Sequence, residues 1–346
     1  MSLPAPLASP RALRDAFARG LGDLLEGADL SGFILVCANA TAEPELAARL
    51  GPVLEARFRV LASEVRETLA EGRPFAVVDE DLMVFLKLMA LGLERLAPTE
   101  QRAEGPWQLV FNLLRSLRPR RITDLVPEDI RAPFDPHRFN FNKPFMLRER
   151  LWSGELLGRP LDLYYNKYPF APLHGLLVPE REAGHPQFLT PELTAYLWAL
   201  GELLSGALPG FGIGYNSFGG YASVNHLHLQ LFVDATPLPV ESDRWVHNGG
   251  VEAYPLEVLR CSSEADLRAA LHALHARGCP YNLLLRGSGA WVVPRAMQGT
   301  VEVPAWSVGL TWCELSGRMI TASRAAYDAL SAGEIEAALA AVAVTG

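Results

Sequence analysis

Lysine is scarce in this 346-residue chain, which has only Lys87, Lys143 and Lys167, and acidic residues outnumber basic ones to a formal net charge of −8. A broad basic face is therefore missing, which argues against a nucleic-acid or anionic-membrane surface. A small anionic substrate is not excluded, because it needs only a local cluster of donors. Cysteine is also sparse: Cys37, Cys261, Cys279 and Cys313 are widely separated and form no C-x-x-C pair. That argues against a zinc ribbon or disulfide framework and fits a reducing cytoplasm. No apolar run approaches the roughly 20 residues that span a bilayer, "FILVCA" at 33–38 being far too short. The first twenty residues lack the apolar core of a secretory leader, so the cytoplasm is the expected location.

What is present is apolar bulk, 49% of residues, which is ample for a core. Residues 1–120 read as mostly helical, with apolar residues at three-to-four spacing over 9–26, 43–72, 80–97 and 107–118. From about 137 the texture shifts to short strands, "FMLRERLW", "LDLYYNK" and "HGLLVPE", punctuated by Gly, Pro and Asn. Thr190 followed by Pro191 predicts the start of a helix that "LPGFG" ends. A further helix after Ser263, strands at "YNLLLRG" and "AWVVPR", and terminal helices from about 323 complete the pattern. Strands interleaved with single helices imply α+β or α/β, with a helical N-terminal layer at 1–120 and a second region at 121–346. An echo between "LYYNKYPFAPLHGLLVPE" and "YNLLLRGSGAWVVPR" is compatible with duplicated half-domains.

One stretch, "GYNSFGGYASVNHLHLQLFVD" at 214–234, carries chemistry. In an extended segment, His226, His228 and Gln230 point one way and Leu227, Leu229 and Leu231 the other. Three buried polar groups without partners would cost about 1–3 kcal/mol each, so a polar ligand is a natural compensation. Packing histidines or the wet face of a strand are the plainer alternatives. A shared metal ion fits poorly, since the third alternate position is glutamine, a weak ligand. Phosphoryl transfer fits better. A neutral imidazole can attack phosphorus, and a glutamine amide can donate to the phosphate oxygens without adding an acid.

"NHLHLQLF" resembles the H-x-H-x-Q signature of the transferase branch of the histidine-triad superfamily. That branch includes galactose-1-phosphate uridylyltransferase, diadenosine tetraphosphate phosphorylase and the GDP-hexose phosphorylases. The wider segment "YNSFGGYASVNHLHLQLF" is most similar to the GDP-hexose phosphorylases. Three stretches agree in order: "FNFNK" (139–143), "NKYPFAPLHGLLVPE" (166–180) and "ELSG" (314–317). The resemblance covers about residues 137–330. It implies an α+β, histidine-triad-like antiparallel sheet with packed helices, to which residues 1–120 add their helical layer.

The roles follow motif by motif. His228 takes the place of the nucleophile, His226 orients the phosphate or its neighbours, and Gln230 bonds an α-phosphate oxygen. Asn216, Ser217, Ser223 and Asn225 are placed to donate to phosphates, although turns hold such residues anyway. Asn140, Lys143, Lys167 and Arg295 are further candidates for substrate contacts, whereas His174 stands where the superfamily has a packing histidine. Asn142 occupies a position that is threonine in the resembled motif. The implied reaction cleaves a nucleoside diphosphate hexose, with guanine the expected base, through a histidine-bound nucleoside monophosphate that inorganic phosphate removes. No cofactor or metal is implied. Diadenosine tetraphosphate phosphorylase, a hexose-1-phosphate uridylyltransferase and a non-catalytic nucleotide-binding protein remain alternatives, as do monomer and homodimer.

Overall fold

The computed structural model describes residues 3–75, 79–119, 127–307 and 309–344. The N-terminal layer begins at Ser9, whose hydroxyl accepts from the Ala12 amide and, with Pro10 in the first turn, starts helix α1 (Pro10–Leu25). Asp29 caps α2 (Leu30–Ala42) by accepting from Gly32 N at 2.8 Å. This helix holds "FILVCA". It is buried on nearly every side, the condition of a helix that sits inside a core rather than on its surface. Helix α3 (Pro44–Ala70) packs on α1 and α2 through a Leu46, Leu50, Leu54, Leu61 and Val65 stripe. Helix α4 (Asp79–Leu91) closes the layer where Phe33, Phe58 and Phe85 meet with ring centroids 5.5–6.0 Å apart.

Residues 107–118 are not the expected helix. Strands β1 (Glu100–Glu104) and β2 (Trp107–Phe111) form an antiparallel hairpin around Gly105, whose φ of 56° suits the turn. Trp107, Leu109 and Phe111 alternate into the core, and the additional burial of Val110 hides that period of two from a helical reading. Asn112 then caps the four-residue helix α5 (Leu113–Ser116).

The larger sheet runs β3 (Arg150–Leu156), β4 (Arg159–Tyr165), β5 (Gly175–Pro179), then helix α6 (Pro191–Ala207), β6 (Phe211–Asn216), β7 (Leu229–Val233), β8 (Leu259–Cys261), helix α7 (Glu264–Ala276), β9 (Tyr281–Arg286) and β10 (Gly289–Pro294). Its spatial order is β3-β4-β5-β7-β6-β9-β10-β8, and its pairings are antiparallel. Thr190 and Ser263 cap α6 and α7, as their sequences imply. After β10 come α8 (Trp312–Leu315), β11 (Arg318–Ile320), α9 (Arg324–Ala329) and α10 (Ala332–Ala341). Strand β11 pairs parallel to β2 and completes a three-stranded sheet among the described residues. The class is α+β.

One core covers one face of the large sheet and merges with α1–α4. Leu229 and Leu231 of β7 lie in it together with Leu35 and Phe17. The opposite face, with Phe232, packs against Trp312, β2 and the C-terminal helices. The division expected at 120/121 falls on residues outside those described. Elements before it share a core with, and pair to, elements after it.

Candidate active site

The backbone at His226 and His228 is not part of a strand, because β7 begins at Leu229. Strand β5 pairs with β7 only as far as Leu177↔Leu229, so the amides preceding that point find other acceptors. Leu227 N donates to His185 O at 2.8 Å, and His228 N donates to Gln187 Oε1 at 2.9 Å. The alternation nevertheless survives: Leu227 enters the helical core while His228 and Gln230 line a cavity of about 1260 Å³. Its walls are the β7–β6 end of the sheet, the loop 139–149 and the α1–α2 turn.

His228 is buried, and its Nδ1 lies 2.8 Å from the His226 carbonyl oxygen. A carbonyl only accepts, so Nδ1 carries the proton and the neutral ring leaves Nε2 bare. Among the described residues Nε2 has no hydrogen-bond partner. Burial, opposed by the bond to His226, lowers the proton affinity of the ring, so it is neutral near pH 7. Phe141 packs against it with a 5.5 Å centroid separation.

His226 does not face the cavity. Its Nε2 donates to Arg181 O at 3.0 Å and its Nδ1 accepts from Phe141 N at 3.2 Å, which engages both ring nitrogens. Burial takes its pKa down to about 4. What this residue orients is His228, through its own carbonyl.

Gln230 accepts from Trp312 Nε1 at 2.9 Å, which assigns its oxygen and turns its amide NH₂ away from the indole. Trp312 stacks on Phe232 at 5.2 Å, and Gly214 makes room for it, since a Cβ there would lie 2.1 Å from the indole. Asn216 Oδ1 accepts from Trp312 N at 2.9 Å and Asn282 Nδ2 at 2.6 Å, which leaves its NH₂ for the cavity it lines.

The other expected residues divide. Ser223 is exposed and lines the cavity. Lys167 also lines it, with Nζ bound to Ser31 Oγ at 2.8 Å and paired with Asp81 at 2.7 Å. Ser217 instead locks to Tyr281, its Oγ accepting at 2.9 Å and its N donating at 3.0 Å. Asn225 bridges Gln187 N to the carbonyls of Ala132 and Pro133. Asn140 and Lys143 satisfy carbonyls within their own loop, at Pro136, His137 and Arg138. Arg295 is buried under Tyr221 at 4.6 Å and donates to the carbonyls of Ala296 and Leu310. None of these five lines the cavity. His174 is buried against the Phe170 ring and Asn166, with its pKa lowered to about 3 by burial.

The sequence reading missed Gln187. Its amide accepts from His228 N and donates to His228 O at 3.1 Å and Asn216 O at 2.9 Å, so it fastens the histidine to the end of β6. No local motif in "GHPQF" announces that role. Also missed were Arg115, Trp312 and the exposed Phe139 and Phe145, all in the cavity or supporting it. Among the described residues no three His, Cys, Asp or Glu side chains converge as metal ligands, and no helix is long and apolar enough to cross a membrane.

Residues 98–232 match the model of the GDPGP1-like N-terminal domain. Over that stretch the chain is similar to the GDPGP1-like family. The resemblance therefore begins earlier than residue 137 and takes in β1, β2 and α5. GDP-D-glucose phosphorylase 1 of Macaca fascicularis is 40% identical over 138 residues, covering 38% of this chain and 35% of the relative. Its Bos taurus counterpart is 38% identical over 160 residues, covering 44% and 37%. GDP-L-galactose phosphorylase 2 of Arabidopsis thaliana is 26% identical over 255 residues, covering 61% and 59%. The matched stretch thus spans about a third of the length of the GDP-D-glucose phosphorylases. Among solved structures, yeast Ap4A phosphorylase Apa2 in complex with Ap4A aligns over 78% of this chain and 100% of its own, at 16% identity and a TM-score of 0.48.

Proposed function

We propose that the protein is a nucleotidyltransferase acting on a GDP-hexose through a covalent His228 intermediate. The bare Nε2 of a neutral, buried His228 at the cavity wall carries this reading. Nε2 attacks the α-phosphorus, the bond to the bridging oxygen breaks, and hexose 1-phosphate leaves with the electron pair. Inorganic phosphate then attacks the same phosphorus and returns the imidazole, giving GDP. The amides of Gln230 and Asn216 and the hydroxyl of Ser223 supply donors for the phosphate oxygens. Phe139 and Phe145, half exposed with rings 6.0 Å apart beside Phe141, offer faces for the base. The names of the matched relatives favour GDP-glucose or GDP-L-galactose as substrate.

The test is intact-protein mass spectrometry after brief exposure to GDP-hexose without phosphate, alongside UDP- and ADP-hexoses and dinucleotide tetraphosphates. The expected result is a mass gain of one GMP, lost on adding phosphate and absent from His228→Ala. Turnover surviving that substitution, or no adduct with any donor, would refute the reading.

A further inference from the structure

The cations along this cavity are mostly neutralised by partners. Arg118 pairs with Glu80 at 2.5 Å, Lys167 with Asp81 at 2.7 Å and Arg150 with Asp162 at 3.4 Å. Arg115 is different. Its NH1 donates to Tyr168 O at 2.6 Å and its guanidinium lies over the Phe170 ring at 5.2 Å. Its Nε is enclosed without a hydrogen-bond partner. Among the described residues its NH2 has none either, and no carboxylate forms an ion pair with it. The acid that influences it, Glu314, instead accepts from Thr311 N and Oγ1. Burial, then the neighbouring Arg118, lowers the pKa of Arg115 to about 10, so it is still cationic at neutral pH. An enclosed cation that forms no ion pair is costly, and an anion in the cavity would offset that cost. From Arg115 the contacts lead to the catalytic face: Phe170 lies 5.6 Å from Trp312, which donates to Gln230.

We infer that Arg115 is the anion-holding residue of this cavity, and that it takes the phosphate that leaves as hexose 1-phosphate and enters as inorganic phosphate. This rests on the nucleotidyl-transfer reading. In a double displacement at one phosphorus with one nucleophile, the leaving and entering groups both lie opposite His228, so a single subsite serves both steps. In the first step Arg115 faces the charge gathering on the departing oxygen. In the second it holds hydrogen phosphate while a phosphate oxygen bonds to the α-phosphorus and the N–P bond breaks. A planar fork suits phosphate better than an ammonium does.

The test separates the subsite from the reaction. Inorganic phosphate is titrated onto unreacted wild type and Arg115→Gln by ³¹P line broadening, and the isolated GMP adduct of each is discharged with phosphate. The expected result is a rise of about ten- to a hundredfold in both the phosphate dissociation constant and the half-maximal phosphate for discharge. Guanidinium added to Arg115→Ala restores part of the discharge, which a packing role alone would not allow. Should these variants fail to fold, phosphate protection of Arg115 from phenylglyoxal in the wild-type protein decides, read by peptide mass. Equal phosphate affinity in folded Arg115→Gln, or no protection in the wild type, overturns the inference. A wild type that forms no adduct yet shows phosphate protection at Arg115 sinks the reaction and leaves the anion site standing.

Discussion

The Nδ1–H of His228 donates to the backbone carbonyl of His226, two residues before it, at 2.8 Å. The tautomer of the proposed nucleophile is thus fixed by main chain, while the His226 ring is engaged elsewhere, with Phe141 N and Arg181 O. The two histidines therefore separate on mutation. His226→Ala keeps the carbonyl but strands the buried N–H of Phe141 and the partly buried C=O of Arg181, at up to about 1–3 kcal/mol each. The expected outcome is a clear drop in thermal unfolding temperature with slowed but measurable adduct formation, against none in His228→Ala. An inactive His226→Ala with wild-type stability would contradict this division of roles.

The acid side of the pH profile follows from burial. Desolvation lowers the pKa of His228, so its neutral form persists below the ordinary histidine value of about 6.5. The acid limb of adduct formation is expected below pH 6.5, and a midpoint at or above that value would count against a buried nucleophile. Stability has the same sign. His226 titrates near 4 when folded but near 6.5 when unfolded, so the unfolded chain binds protons first as pH falls. Its contribution is complete above about 6.5 and fades through about 4, a difference of roughly 3 kcal/mol at most. NMR titration of the His226 ring checks the folded value directly.

The elements whose burial is one-sided were legible in the sequence. The capped helices after Thr190 and Ser263 and the H-x-H-x-Q segment announce themselves by period and by neighbouring Ser, Thr and Pro. Helix α2 does not, because a segment buried all round has no amphipathic period, and β2 resembles a helix because Val110 interrupts its alternation. Within the site, alternation placed His228 and Gln230 on one wall, but not the turn of the His226 ring away from it. Asn140, Asn225 and Arg295 belong to residue types that satisfy loop carbonyls as readily as phosphates, and only three-dimensional proximity distinguishes the two uses. Gln187 and Arg115 act across 41 and 53 residues of sequence respectively, beyond any local pattern.

Gln187 provides a sharper probe of preorganisation than the cavity residues themselves. Replacing it with alanine removes an acceptor for His228 N and two donors, to His228 O and Asn216 O. A loss of about 2–4 kcal/mol in stability is expected, together with a slower chemical step, because the segment carrying the proposed nucleophile loses its anchor. Gln187→Glu is expected to be worse than alanine, since a carboxylate would face two carbonyl oxygens. Urea denaturation and single-turnover rates measure both effects, and a Gln187→Glu variant equal to wild type would sink the argument.

Trp312 tests the amide orientation of Gln230. Trp312→Phe keeps an aromatic ring against Phe232 and Phe170 but deletes the Nε1–H that holds Gln230 Oε1 at 2.9 Å. The loss of one such bond, about 0.5–1.5 kcal/mol, frees the amide to present oxygen instead of NH₂ to a phosphate. Nucleotidyl transfer is then expected to slow by roughly three- to tenfold, with nucleotide affinity nearly unchanged because base and ribose are untouched. Gln230→Glu still offers Trp312 an acceptor, yet it sets a negative charge against the phosphate, so its rate should fall further. Comparing kcat with KM for the pair decides: a Trp312→Phe variant at the wild-type rate would mean that the orientation of this amide has no part in the proposed chemistry.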